Sequence, residues 1–243
     1  MPRRLFLHAG GNSTSARAAV IEHLRGARRA VMIPYAQSDH DGATARFQEW
    51  LTPDGVELTG VHTVDDPRAA IRDAEAVFVT GGNSFRLVTA LHRLSLIDAV
   101  RSAIDRGIPY FGASAGSNVA CPTIRTTNDM PIVQPSSFAA FDLVPFQINP
   151  HYIDPPAPED RIGETREERL QEFLDENDVT VVALREQSWL EVDGPVMTLR
   201  GTGGAVLFRR GTEPAQLIGG ADLSSLLLET PRFDASPHLA GSR

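Results

Sequence analysis

The five residues Gly112-Ala113-Ser114-Ala115-Gly116 fit the spacing G-x-S-x-G. In such a sequence a serine sits on a sharp, strained turn between a strand and a helix, and its neighbours must be small to avoid clashes. The hydroxyl then stands above the carboxyl edge of a sheet. The helix N-terminus behind it offers unpaired amides and a favourable dipole to a developing oxyanion. The flanks agree, with apolar Ile108–Phe111 before the turn and helix-compatible Ala115–Ala120 after it. A small-residue turn without chemistry is the plainer reading, but the strand, turn and helix context favours a nucleophile.

A serine nucleophile needs a base. All 23 basic residues are arginine, so no lysine amine can serve, and histidine is the natural choice among seven. His23 and His92 lie in helical patterns and read as solvated. His8 and His62 close strands and could line one sheet edge. His40 sits in a polar loop, and His238 near the chain end. His151 differs, because it ends the ordered run Phe146-Gln147-Ile148-Asn149-Pro150 and opens a proline-rich loop. A structural loop histidine is the competing reading. For the group that orients the imidazole, Glu186 follows a strand-like run, and Asp129 is its rival. Spacing does not choose between them. The order serine, histidine, acid departs from α/β-hydrolases, where the acid precedes the histidine. A second glycine-rich strand end, Thr80-Gly81-Gly82-Asn83-Ser84, could supply backbone N–H groups to the same oxyanion.

The composition narrows the choices. The absence of lysine excludes Schiff-base chemistry, Ser–Lys dyads and a P-loop. One cysteine, Cys121, allows no internal disulfide and reads as core packing. A net charge of −8 disfavours nucleic acid and anionic membranes as partners. No metal-ligand spacing appears, so neither a metal nor another cofactor is expected. The apolar runs are too short for a membrane span, and the first residues read as a strand and its loop rather than a signal peptide. A cytoplasmic protein is expected.

These groups must be positioned by an α/β scaffold. Strands are expected at Leu5–His8, Ala30–Pro34, Glu57–His62, Ala76–Val79 and Ile108–Phe111. Helices are expected at Ser15–Leu24, Thr44–Leu51, Pro67–Asp73 and Phe85–Asp105. The alternation argues for a parallel sheet covered on both faces. Residues 121–163 read as irregular. A helix over Glu164–Glu176 follows, then strands at Val179–Leu184, Trp189–Val192, Val196–Arg200 and Ala205–Phe208. One domain over residues 1–230 and a loose tail from about Pro231 are expected.

Several stretches together resemble the peptidase E (aspartyl dipeptidase) family. They are Thr80-Gly81-Gly82-Asn83-Ser84-Phe85, Ser114-Ala115-Gly116, Cys121 to Ile132 (C-P-T-I-R-T-T-N-D-M-P-I), Gln147-Ile148-Asn149-Pro150-His151 and Gly163-Glu164-Thr165-Arg166-Glu167. The resemblance runs in order from the first strand to about Glu191. It implies a flavodoxin-like fold related to class I glutamine amidotransferases, with serine in place of their elbow cysteine. It implies Ser114 as nucleophile, His151 as base, Glu186 as acid, and an oxyanion hole from Gly82 and Ala115. Arg166 would grip an aspartyl side chain. Asn83, Asp129 and Glu164 join it as substrate-binding candidates; the acceptor for the substrate's amine could be Glu164, Asp129 or a backbone carbonyl, and the sequence does not choose. The departures are Ala113 where the family commonly has Trp, Ser117 where Ala is common, the unusual start Gly10-Gly11-Asn12 and a longer tail. Ala113 would widen the pocket.

The implied activity is hydrolysis of dipeptides with N-terminal aspartate. The implied partner is that small peptide, and a homodimer is compatible with the sequence. The alternatives are a cyanophycinase-like peptidase acting on β-Asp-Arg substrates and an inactive protein that binds acidic dipeptides. The intact Ser114, His151 and Glu186 speak against the second.

Overall fold

The computed structural model describes residues 2–10 and 16–235. The first half of the chain runs β1 (Arg4–His8), α1 (Arg17–Leu24), β2 (Arg29–Ile33), α2 (His40–Leu51), β3 (Glu57–Gly60), α3 (Pro67–Asp73) and β4 (Ala76–Val79). Then come α4 (Ser84–Arg93), α5 (Ile97–Asp105), β5 (Tyr110–Ala113), α6 (Ala115–Asn118), β6 (Gln147–Asn149) and α7 (Arg166–Glu176). The chain closes with β7 (Val181–Leu184), β8 (Ser188–Asp193), β9 (Val196–Gly201), β10 (Ala205–Phe208) and β11 (Ala215–Leu217).

Seven strands form the main sheet in the order β3-β2-β4-β5-β1-β8-β9. The first five are parallel; β8 extends the sheet antiparallel to β1, and β9, antiparallel to β8, runs in the direction of the first five again. A second sheet runs β11-β10-β7-β6, with β6 and β7 parallel. Alternating side chains explain the layers. Leu5, Leu7, Val31, Ile33, Val77 and Val79 share a core with α3, α4, α5 and the second sheet. Phe6, Ala30, Met32, Ala76, Phe78 and Phe111 pack under α1 and α2. The far side of the second sheet buries Val181, Ala183, Val206 and Phe208 against Leu170 and Leu174 of α7. Strands covered on both faces lose the polar alternation of half-exposed ones, which is why Ala-Val-Phe-Val reads as a continuous apolar run.

The capping residues set the helix starts. Asp39 caps α2 through Gly42 N–H, and Asp66 caps α3 ahead of Pro67. Thr165 and Glu168 form a reciprocal capping box that starts α7 at Arg166 rather than Glu164. The helix expected over Phe85–Asp105 is two helices. The chain breaks at Leu94–Leu96, with Ser95 at φ +54°, and Leu96 is fully buried. The break redirects α5 so that Val100, Ala103 and Ile104 reach the core while the apolar periodicity continues unbroken in sequence. Strand β3 stops at Gly60, two residues short of the expected end. Strand β5 is displaced toward the serine, because Ile108 N–H is still bonded to Ala103 O in the preceding helix. Residues 121–163, expected to be irregular, contain β6.

Residues 231–235 of the expected loose tail are tied down. Asp178 and Arg232 exchange backbone hydrogen bonds, and Ala235 N–H reaches Glu176 O. Residues 236–243, with His238, lie outside the described residues, as do Gly11, Asn12 and Ser15. Among the described residues no helix is long and apolar enough to cross a membrane.

Two histidines are held neutral inside this frame. His8 lies in a cluster of three rings with Phe6 and Trp189, and burial lowers its pKa to about 4. His23, expected on the surface, packs edge-on to Phe6 and donates from Nε2 to Tyr110 O. Burial likewise lowers its pKa to about 4. Between the ordinary value of 6.5 and about 4, the unfolded chain binds these protons and the folded chain does not. Stability is therefore full above that window and falls as the pH drops through it, by at most roughly 3 kcal/mol for His8 and less for the partly exposed His23. Urea midpoints at neutral and mildly acid pH should show a steeper loss in wild type than in His8→Asn or His23→Gln.

Candidate active site

Strands β4, β5 and β1 are neighbours, and their carboxyl ends converge on Ser114. Ser114 sits at φ +54° and ψ −110°, a conformation costing about 1–3 kcal/mol for a residue with a side chain. The surroundings fix it. Ser114 N–H donates to His8 O at 3.0 Å, and Ser114 O accepts the N–H groups of Ser117 and Asn118, both at 2.9 Å. The buried Ser117 hydroxyl lies 2.7 Å from His8 O and 2.9 Å from Gly112 O. Tyr110 donates its phenol to Gly116 O at 2.7 Å. Both glycines of the motif are required by contact. A Cβ on Gly116 would lie 2.2 Å from Val79 O, and one on Gly112 would lie 2.6 Å from Gly116 O.

The histidine expected as base arrives from the second sheet. His151 Nε2 is 2.7 Å from Ser114 Oγ, and its Nδ1 is hydrogen-bonded to Glu186 Oε1. Register explains the pairing. β6 and β7 run parallel with Asn149 opposite Ala183, so His151 and Glu186 leave adjacent strand ends together. His151 has φ +57° and is anchored on both sides. Asn128 Nδ2 donates to Pro150 O at 2.7 Å, and Tyr152 N–H donates to Leu184 O at 2.9 Å. The rest of Cys121–Asn128 clamps β6. Ile148 O accepts from Asn118 Nδ2 and Thr126 Oγ1, Ile148 N–H donates to Cys121 Sγ, and Asn149 Nδ2 donates to Thr126 O. Burial holds the Cys121 thiol well above its ordinary pKa, so it is a neutral part of the clamp.

The glycine-rich loop after β4 lies against the serine. A Cβ on Gly81 would be 3.1 Å from Ser114 Cβ, and Gly82, at φ +141°, has Ala36 O in the space a Cβ would take. Asn83 N–H to Ala36 O and Gln37 Nε2 to Gly81 O hold the loop. Ala115 opens α6, where the first amides have no helical partner.

The remaining expected residues divide. Asn83 caps α4, accepting Arg86 N–H and donating to Met130 O. Asp129 accepts Ser84 N–H at the same helix end, so the imidazole meets Glu186 and not its rival. Glu164 is paired with Arg169. Arg166 lies in the first turn of α7 with Nη1 buried and without a partner. Desolvation and Arg169 lower its pKa, while the charge of nearby Glu186 raises it. Ala113 packs into the core under α1 and α2. His62 pairs with Asp41 and lies against His40, and His92 bonds to Ala139 O. Sequence reasoning missed Gly10, whose absent side chain makes room for the ring of His151. Its signal was a glycine just past the end of β1. Among the described residues no group of three or more His, Cys, Asp or Glu could hold a metal ion.

The sequence model of peptidase family S51 matches residues 5–200. The chain is 52% identical to Peptidase E of Streptomyces coelicolor over 227 residues, 93% of each chain. It is 43% identical over 224 residues to a Drosophila melanogaster protein named "Probable alpha-aspartyl dipeptidase", covering 91% of this chain and 93% of that one. The crystal structure of a peptidase from an acI-B1 Actinobacterium shares the fold at a TM-score of 0.69 and 16% identity, covering 92% and 97% of the two chains. The chain belongs to peptidase family S51, a mixed α/β protein with a large, mostly parallel, flavodoxin-like sheet.

The two carboxylates can be told apart by kinetics. Glu186→Gln should lower kcat by a factor of the order of 10² or more at little changed KM, because it removes the charge that balances an imidazolium. Asp129→Asn should instead act mainly on stability. If Asp129→Asn lowers kcat more, the two roles are exchanged.

Proposed function

We propose that this protein hydrolyses dipeptides bearing N-terminal aspartate through a Ser114–His151–Glu186 acyl-enzyme mechanism. The observation that carries the reading is the line of contacts from Glu186 through His151 to Ser114 Oγ, at a serine already held in a strained turn. Ser114 Oγ attacks the aspartyl carbonyl carbon as His151 Nε2 takes its proton. The N–H groups of Gly82 and Ala115 receive the oxyanion. The imidazolium, balanced by Glu186, gives its proton to the leaving nitrogen as the C–N bond breaks. Water then attacks the ester with His151 again as base. Aspartate leaves, and the proton returns to Ser114.

The aspartyl preference is supported by Arg166 and by the name of the Drosophila relative. A guanidinium nitrogen buried without a partner is an uncompensated donor. A substrate β-carboxylate would complete it with the forked geometry arginine favours. Glu164 and Asp129 already have partners, which favours a backbone carbonyl as the acceptor for the substrate amine. Free peptides in the cytoplasm are the proposed substrates. The half-exposed His151–Glu186 pair leaves the cleft open, so β-Asp-Arg belongs in the same substrate panel as Asp-Leu.

Folded Ser114→Ala should lose nearly all Asp-Leu hydrolysis, and a fluorophosphonate should label wild type at Ser114 alone. Substantial residual turnover in that variant would remove the nucleophile assignment.

Arg166→Met separates a substrate clamp from a helix surface residue. Loss of a charge-assisted contact worth about 1.5–3 kcal/mol should lower kcat/KM on Asp-Leu roughly ten- to hundredfold. The loss should be smaller on Asn-Leu, which lacks the charge. Equal losses on both substrates, or none on either, would leave Arg166 outside the specificity site.

A further inference from the structure

His8 closes β1 directly beside the reacting pair, yet the mechanism gives its imidazole nothing to do. Its backbone already serves the nucleophile, since His8 O accepts Ser114 N–H and faces the Ser117 hydroxyl. Its ring is only 1% exposed and lies in a stack with Phe6 and Trp189. An aromatic hydrocarbon would fill that slot without burying polar atoms. The imidazole instead buries Nε2 without a partner, which is unfavourable unless the other nitrogen is needed.

The other nitrogen is engaged. Gly10 N–H donates to His8 Nδ1 at 3.0 Å, so Nδ1 carries the lone pair and Nε2 the proton. Gly10 in turn lies against the imidazole of His151. A Cβ on residue 10 would sit 2.2 Å from Cε1, 2.8 Å from Nε2 and 3.1 Å from Nδ1 of that ring. Gly10 holds φ +130°, a conformation open only to glycine. A continuous path therefore runs from His8 Nδ1 through the amide and α-carbon of Gly10 to the base.

The geometry points to His8 as a positioning residue for His151, acting through Gly10 to hold the imidazole in the orientation that meets both Ser114 and Glu186. The burial that keeps His8 neutral leaves its Nδ1 free to accept at neutral pH. The same residue then fixes the nucleophile through its carbonyl and the base through its side chain. The inference rests on the Ser114–His151–Glu186 assignment, and its test is arranged so that the two can fail separately.

His8→Phe keeps a ring in the aromatic stack and removes the acceptor. His8→Asn places an acceptor oxygen close to the position of Nδ1 and gives up the ring. Three quantities are read on folded protein, namely kcat and KM on Asp-Leu, the rate of fluorophosphonate labelling at Ser114, and the low-field proton resonance of His151 Nδ1–H. His8→Phe should lose roughly tenfold or more in kcat and labelling rate, with KM within about twofold and the resonance broadened or lost. His8→Asn should retain the resonance and most of kcat. Gly10→Ala, whose Cβ displaces the ring directly, should reproduce the kcat loss and serves as the second variant if His8→Phe does not fold. Full activity and an intact resonance in His8→Phe or Gly10→Ala would overturn the inference. So would equal losses in His8→Phe and His8→Asn, which would make His8 a packing residue. If wild type is not labelled at Ser114, the proposed function fails, and the resonance still decides whether His8 positions His151.

Discussion

The carbonyl oxygen of Val79 occupies the place where a side chain on residue 116 would begin, 2.2 Å from the missing Cβ. This approach of α6 to the end of β4 constrains everything around the serine. It forces glycine at 116, draws Gly112 under the same helix, and leaves Ser114 no relaxed path from strand to helix. The strained backbone that results lifts the hydroxyl away from the sheet. It is tolerated because β1, β4 and β5 are buried on both faces and cannot slide to relieve it. A core packed like a crystal transmits such a constraint rather than absorbing it.

A second strained residue faces the first. His151 also has a positive φ, and it belongs to a different sheet. The two are brought within 2.7 Å by a polar clamp in addition to the apolar core that the two sheets share. Side chains from Asn118, Cys121, Thr126 and Asn128 reach the backbone of Ile148 and Pro150, and the side chain of Asn149 reaches the backbone of Thr126, so the end of this short strand is held by more than its ladder. Each bond contributes about a kcal/mol, but an unmet partner in so buried a place would cost more than that. The chemical specificity of the C-P-T-I-R-T-T-N run thus has a structural reason, and Asp129 at its end serves the start of α4.

Electrostatics follow the same division. Three ionisable groups with structural duties, His8, His23 and Cys121, are held neutral by burial. Arg166, the group proposed to meet the substrate, instead carries charge and is less than fully paired. With every cation an arginine, the surface is laced with arginine–carboxylate pairs such as Arg29–Glu75 and Arg232–Asp178. Arg166 stands apart from these because its Nη1 is buried.

Much of this is legible in the sequence itself. The parallel sheet, the serine elbow and the order of strands and helices follow from local patterns, because apolar runs, caps and glycine spacing act over a few residues. The composition alone removed lysine chemistry. Spacing nominated His151 and left Glu186 and Asp129 level, since both are carboxylates in loops, and it was the resemblance to the peptidase E family that favoured Glu186. It read one long helix where Ser95 turns the chain, and irregular chain where β6 lies. It passed over Gly10, whose role is visible only as the space it leaves empty. Those matters were decided by the register of β6 on β7 and by backbone packing against rings, which join residues far apart in sequence. Such contacts depend on distances between elements, and no local pattern of residues encodes those distances.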